Sequence, residues 1–232
     1  MKYFIDTEFI EEPGLIELIS IGIVAEDGQE FYAISKEFNF KKVWNQFDWK
    51  RRSPEEIETT PALGRVYKDY WLRTNVLRPI FNELVEKDEP ILYHAEIEYN
   101  FKKRRLKQLI RHYGESNEAI ARQVLEFVRG NDTIHDSNPE FYVYYGDYDW
   151  VVFCWLFGRM IDLPAMFPCF GRDLKQMMVE RNISNKWKNK VCPPPKGEHN
   201  ALIDARWNKK LYNAIMAYDQ TKKWDEFIFK NK

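Results

Sequence analysis

Between Leu15 and Val24 the chain runs almost unbroken in apolar residues (LIELISIGIV), many of them β-branched, which predicts a buried strand. Tyr3 to Ile5 predicts a short strand ahead of it. Glu30 to Ile34 predicts a third strand, after the hairpin-type turn Asp27-Gly28. The opening is therefore an antiparallel meander. From Ser53 the pattern changes: Ser53-Pro54-Glu55-Glu56 marks a helix start, with Ser as cap and Pro in the first turn. Helical periodicity continues over Trp71 to Val85, and Pro90 precedes a predicted strand at Ile91-Leu92-Tyr93. Asn117 to Gly130 predicts a helix closed by its glycine, and Phe141 to Tyr145 a strand. Further helices are predicted from Asp147 through Trp150 to Met160, over Asp173 to Val179, and over Asn200 to Tyr218. Pro164 to Pro168 reads as a loop. Ser184 to Glu198, with KWKNK and three consecutive prolines, reads as a long irregular one. A meander followed by alternating helices and strands predicts an α/β fold, a mixed sheet with helices packed on it. No repeat or linker divides the chain, so one domain over residues 1–232 is expected.

Composition narrows the class. With 44% hydrophobic and 31% charged residues the chain can build a core, which excludes disordered and collagen-like classes. A net charge of -1 provides no global basic field, so any nucleic-acid site must come from local clustering. Cys154, Cys169 and Cys192 are widely spaced and form neither a disulfide framework nor a zinc pattern, which suits a reducing cytoplasm. No apolar run approaches the roughly 18 residues of a membrane span, and Met1-Lys2-Tyr3-Phe4-Ile5 followed by an acid is not a signal peptide. A soluble cytoplasmic domain with no membrane partner is expected. Aromatics at 16%, including 8 Trp, leave room for a surface that stacks on bases.

Three acidic segments carry candidate chemistry. In Phe4-Ile5-Asp6-Thr7-Glu8, strand alternation puts Asp6 and Glu8 on one face, where they repel unless a cation lies between them. Alone this is weak, since 36 acidic residues yield about one Asp-x-Glu by chance. In Tyr145-Gly146-Asp147-Tyr148-Asp149-Trp150, Asp147 reads as a helix cap and Asp149 as a first-turn acid that suits the helix dipole. In His199-Asn200-Ala201-Leu202-Ile203-Asp204, Asp204 shares a helix face with Trp207, Leu211 and Ile215 and so points inward, where a lone carboxylate costs several kcal/mol. His199 can reach the same place from the preceding loop. Taken together, Asp6, Glu8, Asp149 and Asp204 can surround a pair of hard divalent cations, Mg²⁺ or Mn²⁺. Two such ions about 4 Å apart activate a water and stabilise a leaving oxygen in phosphodiester cleavage. A neutral imidazole nearby can take that water's proton.

At these residues the chain resembles the DEDD exonucleases, in the subgroup with a histidine in the third motif. Asp6-x-Glu8 matches the first motif, Asp149 after an aromatic the second, and His199-x4-Asp204 the third. The sequence is most similar to the polyadenylate-specific 3'-exoribonuclease AS family, in the stretches MKYFIDTEFIEE, ELISIGIVAEDGQEFYAIS, PEFYVYYGDYDWVVF with FGRM, RDLKQ, and HNALIDARWN. Residues 36 to 116 and the KWKNKVCPPPK segment are much less diagnostic. The resemblance implies an RNase H-like mixed β-sheet flanked by α-helices. It implies two Mg²⁺ (or Mn²⁺) ions held by Asp6, Glu8, Asp149 and Asp204, with His199 as general base. It also implies a homodimer acting on the 3' end of single-stranded RNA, with a preference for poly(A). Between Asp147 and Asp149, the Tyr-Asp step favours Asp149 as the ligand.

Two basic clusters are candidates for the phosphate backbone: Lys41, Lys42, Lys50, Arg51 and Arg52, interleaved with Trp44, Phe47 and Trp49, and Lys102 to Arg111 on a predicted helix. Either can equally be a solvated face. Phe9 can pack on the terminal nucleotide or in the core, and Arg206 can meet a phosphate or a carboxylate. His94, His112 and His135 read as structural or surface residues. The expected activity is a 3'-5' exoribonuclease releasing nucleoside 5'-monophosphates. Its rivals are a single-stranded DNA 3'-5' exonuclease with the same motifs, and a non-catalytic nucleic-acid-binding domain.

Overall fold

The computed structural model describes residues 1–59, 64–88, 101–131 and 138–230. The predicted strand at Ile91 to Tyr93, His94 and His135 lie outside the described residues. Two compact units emerge, one from Met1–Lys36 with Gly114–Lys232, the other Glu37–Tyr113.

The first unit is built on a five-stranded mixed sheet. Strands β1 (Lys2–Glu12), β2 (Leu15–Ala25) and β3 (Glu30–Ile34) form the antiparallel meander. In the second unit, α1 (Phe40–Asn45), β4 (Asp48–Arg51), α2 (Pro54–Thr59) and β5 (Val66–Asp69) come first. A π-helical turn at Arg73–Leu77 leads into α3 (Arg78–Asp88), and α4 (Lys103–Tyr113) ends the unit. The chain then returns to the first unit with α5 (Asn117–Asn131), β6 (Glu140–Val143), α6 (Asp147–Phe157) and β7 (Arg172–Asp173). Helices α7 (Leu174–Glu180), α8 (Asn185–Val191) and α9 (Ala201–Lys230) complete it. The sheet order is β3-β2-β1-β6-β7, with β6 parallel to β1 and β7 parallel to β6. This is the mixed α/β sheet flanked by helices that the sequence predicts, with β1 at its centre.

Alternation along β1 and β6 feeds two cores. Tyr3, Ile5, Phe141 and Val143 pack with Ile120, Val124 and Val128 of α5 and Val152, Phe153 and Leu156 of α6. Phe4 and Tyr142 pack with Leu174 and Met178 of α7 and Trp207, Leu211 and Ile215 of α9. Each such side chain contributes about 1.5–3 kcal/mol on burial. Among the described residues no helix is long and apolar enough to cross a membrane.

The elements depart from expectation in instructive ways. β1 runs to Glu12 rather than stopping at Ile5, because antiparallel pairing with β2 carries it on past Asp6 and Glu8. The segment expected to be irregular from Ser184 contains α8, capped by Ser184, whose Oγ accepts from the Trp187 amide at 3.1 Å. Its polar run has no apolar periodicity to announce it. The helix brings Lys188 Nζ to the Tyr144 hydroxyl at 3.2 Å and over the Trp207 ring at 5.1 Å. Residues 37–59 and 64–70 hold a two-stranded ribbon, β4 against β5, that the sequence does not signal. The cap at Ser53 is as predicted, reciprocated by Glu56 on the Ser53 amide at 2.7 Å.

Helix α9 is tied to the sheet by Asn208, which is buried and donates to the Ile5 carbonyl at 2.8 Å. Asn208→Ala should leave that carbonyl unpaired and lower stability by about 1–3 kcal/mol, read as a reduced urea midpoint. An unchanged midpoint would show that the bond carries nothing.

Candidate metal centre

The site begins where β6 ends. β1 pairs with β6 only at Lys2, Tyr3 and Phe4, so the backbone of β1 beyond Phe4 is open on that side. Helix α6 starts at this opening and Asp149 takes the vacated position. Its Oδ1 accepts from the Thr7 amide at 2.9 Å and from the Thr7 hydroxyl at 2.7 Å. Asp6 and Glu8, on the other face of the strand from Thr7, point to the side on which α9 packs. A bulge follows immediately: Glu8 pairs with Ser20 and Phe9 with Leu18. The turn into α6 is tight. Tyr145 has φ 56°, and a Cβ on Gly146 would lie 2.3 Å from Val143. The Gly146 amide donates to Asp173 Oδ2 at 2.8 Å, and Asp173 also caps α7 through the Gln176 amide at 2.7 Å.

The opposite wall is the start of α9. Asn200 caps it, its Oδ1 accepting from the Leu202 and Ile203 amides at 3.1 and 3.2 Å. Just before it, His199 sits at φ 67°, and its amide donates to Asp204 Oδ2 at 2.7 Å. Asp204 therefore holds the residue five positions earlier in the turn that presents the imidazole. The first turn of α9 reaches β2 at Gly22, the residue paired with Asp6. A Cβ there would lie 2.3 Å from the Ala201 carbonyl oxygen and 2.4 Å from the Leu202 nitrogen. One ligand atom from each of Glu8, His199 and Asp204 consequently lies within 4.8 Å of the others.

Electrostatics follow from this crowding. Burial pushes the Asp6 carboxyl well above the usual carboxylate range, and the charges of Asp149, Glu8 and Asp204 push it further. Glu8 is raised well above its ordinary value by burial and by Asp204 and Asp149. Burial lifts Asp149 to about 6 against the opposing pull of the Thr7 hydrogen bonds. Asp204 is also lifted by burial to about 6, against the His199 amide. Four carboxylates that repel one another in a half-dry pocket, beside an imidazole, match the donor set of a hard divalent cation. Asp6, Glu8, Asp149 and Asp204 are the residues that would hold it.

All five residues expected from the sequence thus come together. Asp149 is buried, whereas Asp147 is exposed and is the first residue of α6 rather than its cap, the cap being Gly146. Phe9 is partly buried, packs against the core and lies 6.1 Å from the Tyr148 ring. Arg206 forms a two-pronged ion pair with Glu30 at 2.7 and 2.6 Å. His112 packs edge-on against Tyr113 in the second unit, away from any acidic cluster among the described residues. Sequence reasoning missed Thr7, Gly22 and Asn200 as positioning residues. A cap signal announced Asn200, and nothing announced the other two.

The chain is 33% identical over 221 residues to the 3'-5' exoribonuclease Rv2179c of Mycobacterium tuberculosis strain H37Rv, covering 94% of this chain and 95% of the relative. It matches the 3'-5' exoribonuclease MT2234.1 of M. tuberculosis strain CDC 1551 to the same extent. A solved structure of S. pombe Pop2p, in a Mg²⁺- and Mn²⁺-bound form, is similar with a TM-score of 0.46 at 14% identity, covering 92% of this chain and 82% of that one. No protein-family model matches the chain.

Two outcomes follow from the geometry. Gly22→Ala should push the start of α9 off the sheet and weaken Mn²⁺ binding, measured by calorimetry, by about 10- to 100-fold. The second concerns pH. Asp149 and Asp204 titrate higher folded than unfolded, so the folded protein binds more protons. Their stabilising effect is complete below the ordinary range near 4 and is lost as pH rises through about 6. Each shift corresponds to about 2–3 kcal/mol. The metal-free protein should therefore melt higher at pH 5 than at pH 7.5, and added Mn²⁺ should raise the melting temperature more at pH 7.5. A melting temperature rising with pH in EDTA would contradict the buried cluster.

Proposed function

The chain belongs to the family of 3'-5' exoribonucleases represented by its two mycobacterial relatives, and on that premise we propose that it removes nucleoside 5'-monophosphates from the 3' end of single-stranded RNA. The observation that carries this reading is the convergence of Asp6, Glu8, Asp149, Asp204 and His199 from three separate stretches of chain onto one partly buried cluster. All five lie in the first unit, and the whole chain, 1–232, is read as a single exonuclease domain.

Two bound Mg²⁺ or Mn²⁺ ions would supply Lewis-acid activation of water and stabilisation of the leaving oxygen. The protein's own groups do the rest. Thr7 holds Asp149 in one rotamer through two donors to a single oxygen, leaving the other oxygen for a ligand. Asp204 spends Oδ2 on the His199 amide and keeps Oδ1 for the centre. His199, fixed by that bond and by its left-handed backbone, takes the proton of the attacking water at an imidazole nitrogen. The partly buried Phe9, beside the second carboxylate, offers an apolar surface to the terminal base. Arg206, engaged with Glu30, would have to exchange that partner to reach a phosphate. A preference for poly(A) and a homodimer belong to the same proposal and rest on the resemblance to the AS family; a cytoplasmic setting belongs to it too and rests on the widely spaced cysteines.

The test uses 5'-labelled oligo(A), oligo(U) and matched DNA with Mg²⁺, Mn²⁺ or EDTA. The expected result is a metal-dependent ladder shortening from the 3' end, fastest on oligo(A) and slow on DNA. Asp149→Asn should abolish it, and His199→Ala should slow it by about 10²- to 10⁴-fold. Intact RNA in every lane, from folded protein that binds Mn²⁺, would overturn the assignment.

A further inference from the structure

The second unit displays a surface that the acidic centre does not use. β4 and β5 pair antiparallel, with Trp49 opposite Lys68 and Arg51 opposite Val66. Strand alternation places Phe47, Trp49, Arg51, Val66, Lys68 and Tyr70 on one face. Ring and charge contacts agree: Phe47 lies edge-on to Trp49 at 5.7 Å and 5.6 Å from Tyr70, while Lys68 Nζ sits 4.2 Å over Phe47 and 5.5 Å from Trp49. The ribbon's two aspartates, Asp48 and Asp69, face each other on the opposite side. Lys50 and Tyr67 are on that side too, with Arg52 over the Tyr67 ring. Of these six side chains on the aromatic face two are cations and none is a carboxylate, in a chain whose net charge is -1.

That face is open. Every residue of β4 is exposed, Trp49 at 64% and Val66 at 50%. The remaining aromatic of the same basic stretch behaves differently. Trp44 is partly buried, with Arg73 over its ring at 4.8 Å and bonded to its carbonyl. Core packing thus accounts for Trp44 and not for Trp49. A flat aromatic with an ammonium alongside fits a ligand that alternates aromatic rings with negative charges, which is a single-stranded polynucleotide.

We propose that the Phe47–Trp49–Arg51–Lys68 face of the ribbon is a second, non-catalytic contact for single-stranded RNA. Trp49 stacks on a base, and Lys68 and Arg51 neutralise the adjoining phosphates. The choice of RNA rests on the exoribonuclease reading; the ribbon's chemistry does not.

Binding is measured in EDTA, so that no turnover is needed, by fluorescence anisotropy with labelled 20-residue oligo(A) over a range of salt. Trp49→Ala should weaken binding about tenfold, and Trp49→Phe should restore most of it. Lys68→Ala should flatten the slope of log affinity against log salt by about 0.7. Both positions are exposed, so melting temperatures should not move; if that of Trp49→Ala falls, Lys68→Ala and Trp49→Phe decide alone. Unchanged affinity and salt slope in these variants overturn the proposal. So does competition by poly-glutamate as effective as by unlabelled RNA, which would assign the face to acidic proteins. Trp49-dependent binding of RNA that stays intact with Mn²⁺ would overturn the exonuclease reading and leave this one standing. Normal shortening of RNA with binding indifferent to Trp49 and Lys68 would do the reverse.

Discussion

Like charge held in one place is the constraint on which the first unit depends. Burial raises the proton affinity of Asp6, Glu8, Asp149 and Asp204, and for Asp6 and Glu8 the charges of Asp149 and Asp204 raise it further. Left to themselves such groups would splay into solvent. The chain opposes this with fixed positive ends. Asp149 lies in the first turn of α6 and Asp204 in the first turn of α9, where the unpaired amides of a helix start favour negative charge. Asp6 and Glu8 have no helix of their own. They are held by the pairing of β1 with β2, which runs through both positions. What remains is a residual repulsion that a divalent cation relieves.

The sheet topology makes that arrangement possible. Because β6 stops opposite Phe4, the second half of β1 has a partner strand on one side only, and the start of α6 can reach its backbone. Because Gly22 lacks a side chain, the start of α9 can reach the sheet beside Asp6. The two approaches come from opposite faces and meet at a single strand. A bulge after Glu8 bends β1 away once its two carboxylates have been delivered. Shortness at β6, smallness at Gly22 and irregularity after Glu8 would each count as a defect in a sheet designed for stability alone.

Much of this was legible in the sequence. The meander, the helix over Asn117 to Asn131 and the start of α9 follow from apolar periodicity and capping residues, which are local signals. The five residues of the centre were legible because carboxylates on inward-facing positions are costly and so stand out. Other features depend on partners far along the chain. The length of β1 is set by β2, the choice between Asp147 and Asp149 by the Thr7 amide, and the ribbon by pairing across an intervening helix. α8 was missed for a different reason. It is short, polar and followed by prolines, and its cap, the seating of Trp187 against Tyr218 and the contacts of Lys188 with Tyr144 and Trp207 hold it.

The positioning groups of the centre share one property that explains why the sequence does not reveal them. Asp149 is held partly by the amide of Thr7, Asp204 by the amide of His199, and the turn into α6 by the amide of Gly146 on Asp173. A main-chain donor is present whatever side chain the residue carries, so its role leaves little trace in residue identity. What sequence does record is the acceptor, and here the acceptor is the carboxylate that also faces the centre. The same atoms are therefore read twice. One oxygen of Asp149 and one of Asp204 fix local structure, and the remaining oxygens are available for chemistry. Structure and function in this site are coupled through single carboxyl groups, which is why four acids and a histidine suffice to recognise it.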